Sequence, residues 1–265
     1  QTPVRAGPED RLDIEQVEAD FGDGARQPFQ IGLGTAAVPG VVPGIFAIHE
    51  DLCRVPLAEL AAPAIALARE GAVMSPMQAF VARVVAPILA ADPAVSALYT
   101  TGGAEPVPAG HRFRAPDLAD AFELLAEDGL AAWTDGPFAE AVDALSQARG
   151  GHLSRADLAG YRVIRRRPLA GRFRSWSVLT NPAPALGGLL VAFPLALLKT
   201  GGSALGPFGG ADHLRLLARA LRLTGEARIE AALDRDVDPE AAPSLLAPDL
   251  LARYRTAVTA GGRAP

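Results

Sequence analysis

The chain has 265 residues, 49% of them hydrophobic and 21% charged, with a formal net charge of −5. That balance excludes a disordered polymer and allows one large domain or two small ones with a sizeable core. The negative charge gives no reason to expect nucleic acid or an anionic membrane as partner. The longest apolar run, Leu186–Leu198, is too short to span a bilayer and contains Pro194.

Cys53 is the single cysteine, so an internal disulfide is excluded and no metal spacing involves a thiol. Only Lys199 among the 25 basic residues is a lysine. The first eight residues are polar and unlike a secretory leader, and the first residue is Gln. The expectation is a chain that starts inside a longer reading frame, which leaves the compartment open, periplasmic, secreted or cytoplasmic.

In chain order, residues 1–30 read as a polar irregular lead-in with one strand around Asp13–Phe21. A helix is expected from Pro43 to Asp51, and Pro56 opens a second in which Leu57, Leu60, Ala64, Leu67 and Ala68 form one stripe before Gly71. Ser75 as N-cap with Pro76 at the first helical position predicts a helix to about Ala91. Residues 99–114 are a turn-rich connection. Leu118, Ala121, Phe122 and Leu125 mark a helix ended by Gly129, and Phe138, Val142 and Leu145 another ended by Gly150.

Ser154 followed by Asp157 is a capping-box pattern for a short helix. Strands are expected at Tyr161–Ile164 and Arg172–Leu179, on either side of Pro168. A buried helix should cover Leu186–Lys199, and Leu214, Leu217, Ala218 and Leu221 give a last stripe. No fixed-period repeat is present, which excludes a solenoid.

The chemistry visible in these residues is sparse. His49, His111, His152 and His213 are scattered and none has a metal spacing. Asp234, Asp236 and Asp238 imitate the start of a calcium loop, but Pro239 stands where such a loop needs glycine and Leu245 where it needs a bidentate Glu. No metal site or cofactor is expected. Thr100–Thr101 lies in a Gly/Pro-rich loop without a base beside it and reads as a turn. Arg162, Arg165, Arg166, Arg167, Arg172 and Arg174 alternate in part with Val163, Phe173 and Trp176. That pattern suits the polar face of a half-covered sheet and interfacial pairing better than an anion site.

Four ordered blocks nevertheless carry a resemblance. Gly34-Thr35-Ala36-Ala37-Val38-Pro39-Gly40-Val41-Val42-Pro43-Gly44 runs on through His49, Arg54-Val55-Pro56-Leu57 and Pro63-Ala64-Ile65-Ala66-Leu67-Ala68-Arg69-Glu70-Gly71, with Ser75 behind it. Gly110 to Gly136 contains Pro116-Asp117-Leu118-Ala119. Gly150-Gly151-His152-Leu153-Ser154-Arg155-Ala156-Asp157-Leu158-Ala159-Gly160-Tyr161 follows, then Pro168 and Arg172 to Gly188, and a tail from Ala231 to Tyr254. In this order they resemble the large subunit of the gamma-glutamyltransferase (gamma-glutamyltranspeptidase) family over roughly residues 30–255.

The resemblance implies an α+β fold: the helix-rich large-subunit part of an αββα N-terminal-nucleophile hydrolase, with few strands and a single region from 31 to 265. That region would be completed by an upstream segment and by the small catalytic subunit of the same precursor. It implies self-cleavage before a threonine, whose freed amine serves as base for its own hydroxyl. That hydroxyl attacks gamma-glutamyl peptides such as glutathione, and the acyl group passes to water or an amino acid. Most of those groups belong to the small subunit, so no catalytic residue of the family maps onto this chain and the substrate-binding residues are unknown. Gly261-Gly262-Arg263-Ala264-Pro265 looks like the linker that leads to the threonine.

The chain departs from the family at Ala185-Leu186, where two serines are usual. A cephalosporin or glutaryl-type acylase of the same fold, or a non-catalytic paralogue, are the alternatives. Leu186–Leu198 and the small-residue helix after Pro63 are expected to bury against the small subunit or a second copy of the chain.

Overall fold

A hairpin of β1 (Glu15–Asp20) and β2 (Arg26–Ile31) pairs Glu15 with Ile31 through Asp20 with Arg26. The structure, a computed structural model, describes residues 12–102, 105–199, 207–231 and 242–260. The expected lead-in was polar and irregular to residue 30 with one strand. The second strand escapes sequence reading because Pro28 interrupts a short run without clean alternation, and proline is tolerated only where the sheet has an edge.

By Cα packing the chain divides into two units, Gln1–Val163 and Ile164–Pro265. A boundary thus falls inside the stretch expected as one region from 31 to 265.

The first unit continues with α1 (Val41–Leu52), α2 (Leu57–Glu70), β3 (Ala72–Val73), α3 (Pro76–Val84), α4 (Ala86–Ala90), α5 (Pro93–Tyr99), β4 (Thr100–Thr101), β5 (Glu105–Pro106) and β6 (Arg112–Phe113). It ends with α6 (Pro116–Asp128), α7 (Leu130–Thr134), α8 (Pro137–Arg149) and α9 (Arg155–Gly160). The caps are those the sequence predicts. Ser75 Oγ accepts from the Gln78 amide, and the Gln78 side chain accepts from the Ser75 amide at 2.8 Å. Ser154 and Asp157 make the same reciprocal pair.

The single helix expected from Ser75 to Ala91 is instead two. Pro87 has no N–H for the Arg83 carbonyl and its ring crowds that carbonyl, so the ladder breaks at Val85. α5 starts where the Asp92 carboxylate accepts from the Ala94 and Val95 amides.

α2 packs on α6, and Arg69 joins them through Asp120 at 2.7 Å and Glu123 at 2.5 Å. The face of α2 that turns inward is Leu57, Ala61, Ile65 and Ala68. Leu60, Ala64 and Leu67 of the predicted stripe are exposed. Gly40 lies against Tyr161: a Cβ there would stand 2.1 Å from the phenolic oxygen. Close approach of this kind explains glycine in the Val38-Pro39-Gly40 entry to α1.

In the second unit, β7 (Leu169–Phe173) and β8 (Trp176–Thr180) form an antiparallel hairpin, followed by α10 (Leu186–Leu198) and α11 (Ala211–Glu230). A 3-10 turn at Ala242–Leu246 and α12 (Pro248–Ala260) complete it. The strand expected at Tyr161–Ile164 is not formed; that stretch has no regular structure, and the hairpin starts after Pro168. α10 is apolar all round, and such a helix belongs in an interior. It is the centre of the core: Leu189, Phe193 and Leu197 meet Leu223 and Ala227 of α11, Leu245, and Tyr254 of α12.

The expectation that Leu186–Leu198 buries against a separate partner is therefore corrected for most of the helix, which the chain's own residues cover, while Val191 stays half exposed. The stripe foreseen at 214–221 is rotated as well: Leu214 and Leu221 are exposed, while Ala220, Leu223 and Ala227 are buried. Gly188 admits no side chain, since a Cβ would stand 1.9 Å from the Asn181 carbonyl oxygen. α10 thereby lies directly on the loop that leaves β8.

Candidate functional site

Acyl transfer at a side chain needs a nucleophile beside a base. Thr100 Oγ1 donates to the Ser96 carbonyl at 2.7 Å, and Thr101 Oγ1 donates to Glu105 O across the two-residue β4–β5 pairing. Both hydroxyls are consumed by the turn, as the sequence suggested. His49 Nε2 is 2.8 Å from the Val55 carbonyl, and His213 Nδ1 accepts from the Gly209 amide at 2.9 Å. These two rings tie backbone loops. No group of three metal-ligating side chains occurs among the described residues. The Asp234, Asp236 and Asp238 loop with Pro239, and Gly261–Pro265, lie outside the described residues.

The strongest electrostatic cluster is structural. The buried Tyr254 hydroxyl donates to Glu230 Oε2 at 2.7 Å, and Arg253 bonds the other oxygen. Arg253 first, then Tyr254, holds the Glu230 carboxyl below its ordinary range. Burial first, then the bond to Glu230, pushes the Tyr254 phenol up to about 12. Phe193 packs edge-on to the Tyr254 ring at 5.6 Å, so this cluster closes the core of the second unit.

Asp92 is the first unit's counterpart. Arg149, then the Val95 amide, lowers its pKa, and the 2.8 Å ion pair fixes the start of α5 to the end of α8.

Besides a cleft of about 410 Å³ walled by Met77, Val81, Tyr99 and Phe113, two others stand out. The first, about 330 Å³, runs between α1, α2 and α6; it is walled by Ile45, Phe46, Leu60 and Phe122, with His49 and Cys53 at its margin. Cys53 is a free, exposed thiol. The second, about 240 Å³, lies between the β7–β8 hairpin and α10 and α12, and Arg172, Lys199 and Arg255 line it.

The arginine run divides. Arg172 sits on the exposed hairpin face with Ala170, Ser177 and Leu179, while Phe173 and Val178 take the face toward α10. Arg165, Arg166 and Arg167 lie exposed in the stretch before β7. Sequence reading found the half-covered sheet but not the cleft, because Lys199 and Arg255 come from elements far along the chain.

At the start of α10, Ala185 gives no side-chain cap. Ala185-Leu186 offers no hydroxyl there, and Leu186 packs against the core cluster.

Comparison with known proteins places this geometry. The family pattern described as Gamma-glutamyltranspeptidase matches residues 14–264. Acylase ACY 1 proenzyme from Pseudomonas sp. (strain SE83) is 33% identical over 206 residues, covering 77% of this chain and 36% of that protein. Glutathione hydrolase proenzyme from Escherichia coli (strain K12) is 28% identical over 202 residues, covering 76% and 35%.

The crystal structure of Helicobacter pylori gamma-glutamyltranspeptidase superposes with a TM-score of 0.72 at 23% identity, over 86% of this chain and 65% of that one. That likeness establishes the helix-rich fold with few strands. The chain spans about a third of the length of these curated relatives. With the pattern matched across nearly its whole length, the chain belongs to the gamma-glutamyltranspeptidase family.

Proposed function

We propose that this chain is the large-subunit portion of an N-terminal-nucleophile hydrolase that cleaves gamma-glutamyl amides, glutathione among them, and passes the acyl group to water or an amino acid. The nucleophile is a threonine outside these 265 residues, on a small subunit cut from the same precursor. The observation that carries this reading is the family match over 14–264 in a chain spanning about a third of relatives that are themselves proenzymes. The hydroxyls and imidazoles described above add to it, since they are spent on turns and loops.

A polypeptide of residues 1–265 alone should release nothing from a chromogenic gamma-glutamyl anilide. The longer precursor should cleave itself first and hydrolyse the anilide second, because the new N-terminus is the base. Turnover by residues 1–265 alone, in a preparation free of host enzyme, would sink the assignment.

A second reading keeps the fold and changes the acyl group. It is favoured by the acylase relatives, 32% and 33% identical against 28% for the Escherichia coli glutathione hydrolase. A panel of gamma-glutamyl and glutaryl amides separates the two: the glutaryl amide lacks the alpha-amine, and a site that pairs with that amine discriminates strongly against its absence.

A further inference from the structure

Arg165-Arg166-Arg167 is the only run of consecutive basic residues in the chain, and Pro168 follows it. The stretch from Tyr161 to Pro168 has no regular structure, and Ile164 to Pro168 are exposed. Both ends of the stretch are extended for local reasons. Tyr161 leaves α9 at φ −62 and ψ 137, and the ring of Pro168 drives Arg167 before it out of the helical region. Arg166 and Arg167 have no ion pair or hydrogen bond among the described residues.

Other arginines are held differently. Arg69, Arg149 and Arg253 sit in helices and in ion pairs, and a helix must open before a protease can take it. Arg54 lies in the short connection from α1 to α2, where His49 bonds the Val55 carbonyl. Arg162 donates to the Ala159 and Tyr161 carbonyls. Arg174 closes the hairpin turn at φ 54.

A protease takes its substrate as an extended strand, by main-chain hydrogen bonds and a deep pocket for one side chain. The run offers backbone that no strand of the described residues pairs with. It also offers a guanidinium for a pocket with a carboxylate at its floor, which arginine binds bidentately. Pro168 closes one register: a cut after Arg167 would put proline just past the broken bond, with no N–H and a fixed φ. The segment opens the second unit, Ile164–Pro265. The Gly40–Tyr161 contact lies wholly before it and the Leu189–Tyr254 cluster wholly after it, so a cut there spares both.

We propose that Ile164–Pro168 is a processing segment for an arginine-directed serine endoprotease, cut at the Arg166–Arg167 bond or one bond earlier. Water balances the step. Its oxygen joins the carbonyl carbon, the amide C–N bond breaks, and both its protons end on the new amine. A carboxylate is left on one piece and an ammonium on the other. The proposal does not depend on which acyl group the protein transfers.

The test is limited digestion of the complete, self-processed protein with trypsin, beside residues 1–265, read by mass spectrometry. The first cut should leave a piece ending at Arg165 or Arg166, at least about tenfold faster than after any other described arginine, since cleavage follows the population of open backbone. Replacing the run by Arg165→Gln, Arg166→Gln and Arg167→Gln together should slow the first cut about tenfold or more, with unchanged circular dichroism. Pro168→Ala should add a cut after Arg167, a gain at one bond that general unfolding cannot imitate. A first cut at another described arginine overturns the proposal. So does a run that resists in the complete protein under conditions that cut residues 1–265, or one cut no faster than the protein unfolds.

Discussion

The two units bury different kinds of side chain. In the first, the fully or nearly buried positions are dominated by alanine: Ala19, Ala79, Ala82, Ala119, Ala132 and Ala139, with Val107 and Leu158 among the larger ones. Its bulky residues, including Ile45, Ile48, Leu52, Leu67, Met77 and Phe80, stand about half exposed or more. In the second unit a single cluster holds Phe193, Tyr254 and five leucines. Alanine lets helices approach closely but removes little apolar area from water, and stabilisation follows area. The first unit thus closes over small buried side chains, and the second around one cluster of large ones.

The largest effect that tests this contrast is Phe193→Ala. The side chain is fully buried and stacks edge-on with Tyr254, so the loss should be about 3–5 kcal/mol. Urea titration should show it as a lowered midpoint. A loss under about 1 kcal/mol would mean that the cluster is not the core of the unit. Gly188→Ala comes next, at about 1–3 kcal/mol, because the added methyl meets the Asn181 carbonyl, which is backbone and cannot rotate away.

The contrast also explains what the sequence could and could not disclose. Helix ends were legible wherever a local pair defines them, as at Ser75–Gln78, Ser154–Asp157 and Gly129. Helix faces were not. On α2 and α11 the inward positions include Ala61, Ala68, Ala220 and Ala227, and alanine is too small to dominate a periodicity beside leucine. The predicted stripes therefore followed Leu60, Leu67, Leu214 and Leu221, which point outward. α5 and α7 are short, and their apolar spacing is too brief to register.

The family was legible because glycines and prolines forced by close approach, Gly40 on Tyr161 and Gly188 on Asn181, keep fixed spacings. An active site was not, because turns and backbone loops occupy the candidate hydroxyls and rings.

The Tyr254–Glu230–Arg253 cluster gives a prediction with a pH sign. Glu230 has a lowered pKa in the folded state, so its contribution is present above the ordinary carboxylate range and is lost as pH falls through its lowered value. Tyr254, raised to about 12, contributes fully below the ordinary phenol value of about 10 and loses that contribution as pH rises toward 12. The melting temperature should be flat between these limits. Glu230→Gln should flatten the acid limb and cost about 1 kcal/mol at neutral pH. An unaltered acid limb in that variant would assign acid sensitivity to other carboxylates.

In the first unit the comparable change is a cap. Ser75→Ala removes the acceptor for the Gln78 amide and should cost about 1 kcal/mol. Hydrogen exchange in α3 should rise more than elsewhere, since the lost bond is local.

The smallest effect tests the outward side of α2. Leu67 stands on α2 at 59% exposure, on the side that the sequence stripe assigned to the interior. If that side is solvent-facing in residues 1–265, Leu67→Gln changes stability by no more than about 0.5 kcal/mol, the range of ordinary surface substitutions. Leucine in a core costs several times more to replace, so the two cases are well separated. The measurement is urea unfolding of residues 1–265, repeated at two protein concentrations. A loss above about 1.5 kcal/mol at both concentrations would show that α2 is covered within the chain and that the alanine-lined core is larger than described. A loss that appears only at the higher concentration would show that a second copy covers it, since stability gained from association depends on concentration. An effect near zero at both leaves the first unit with an apolar face that its own residues do not cover.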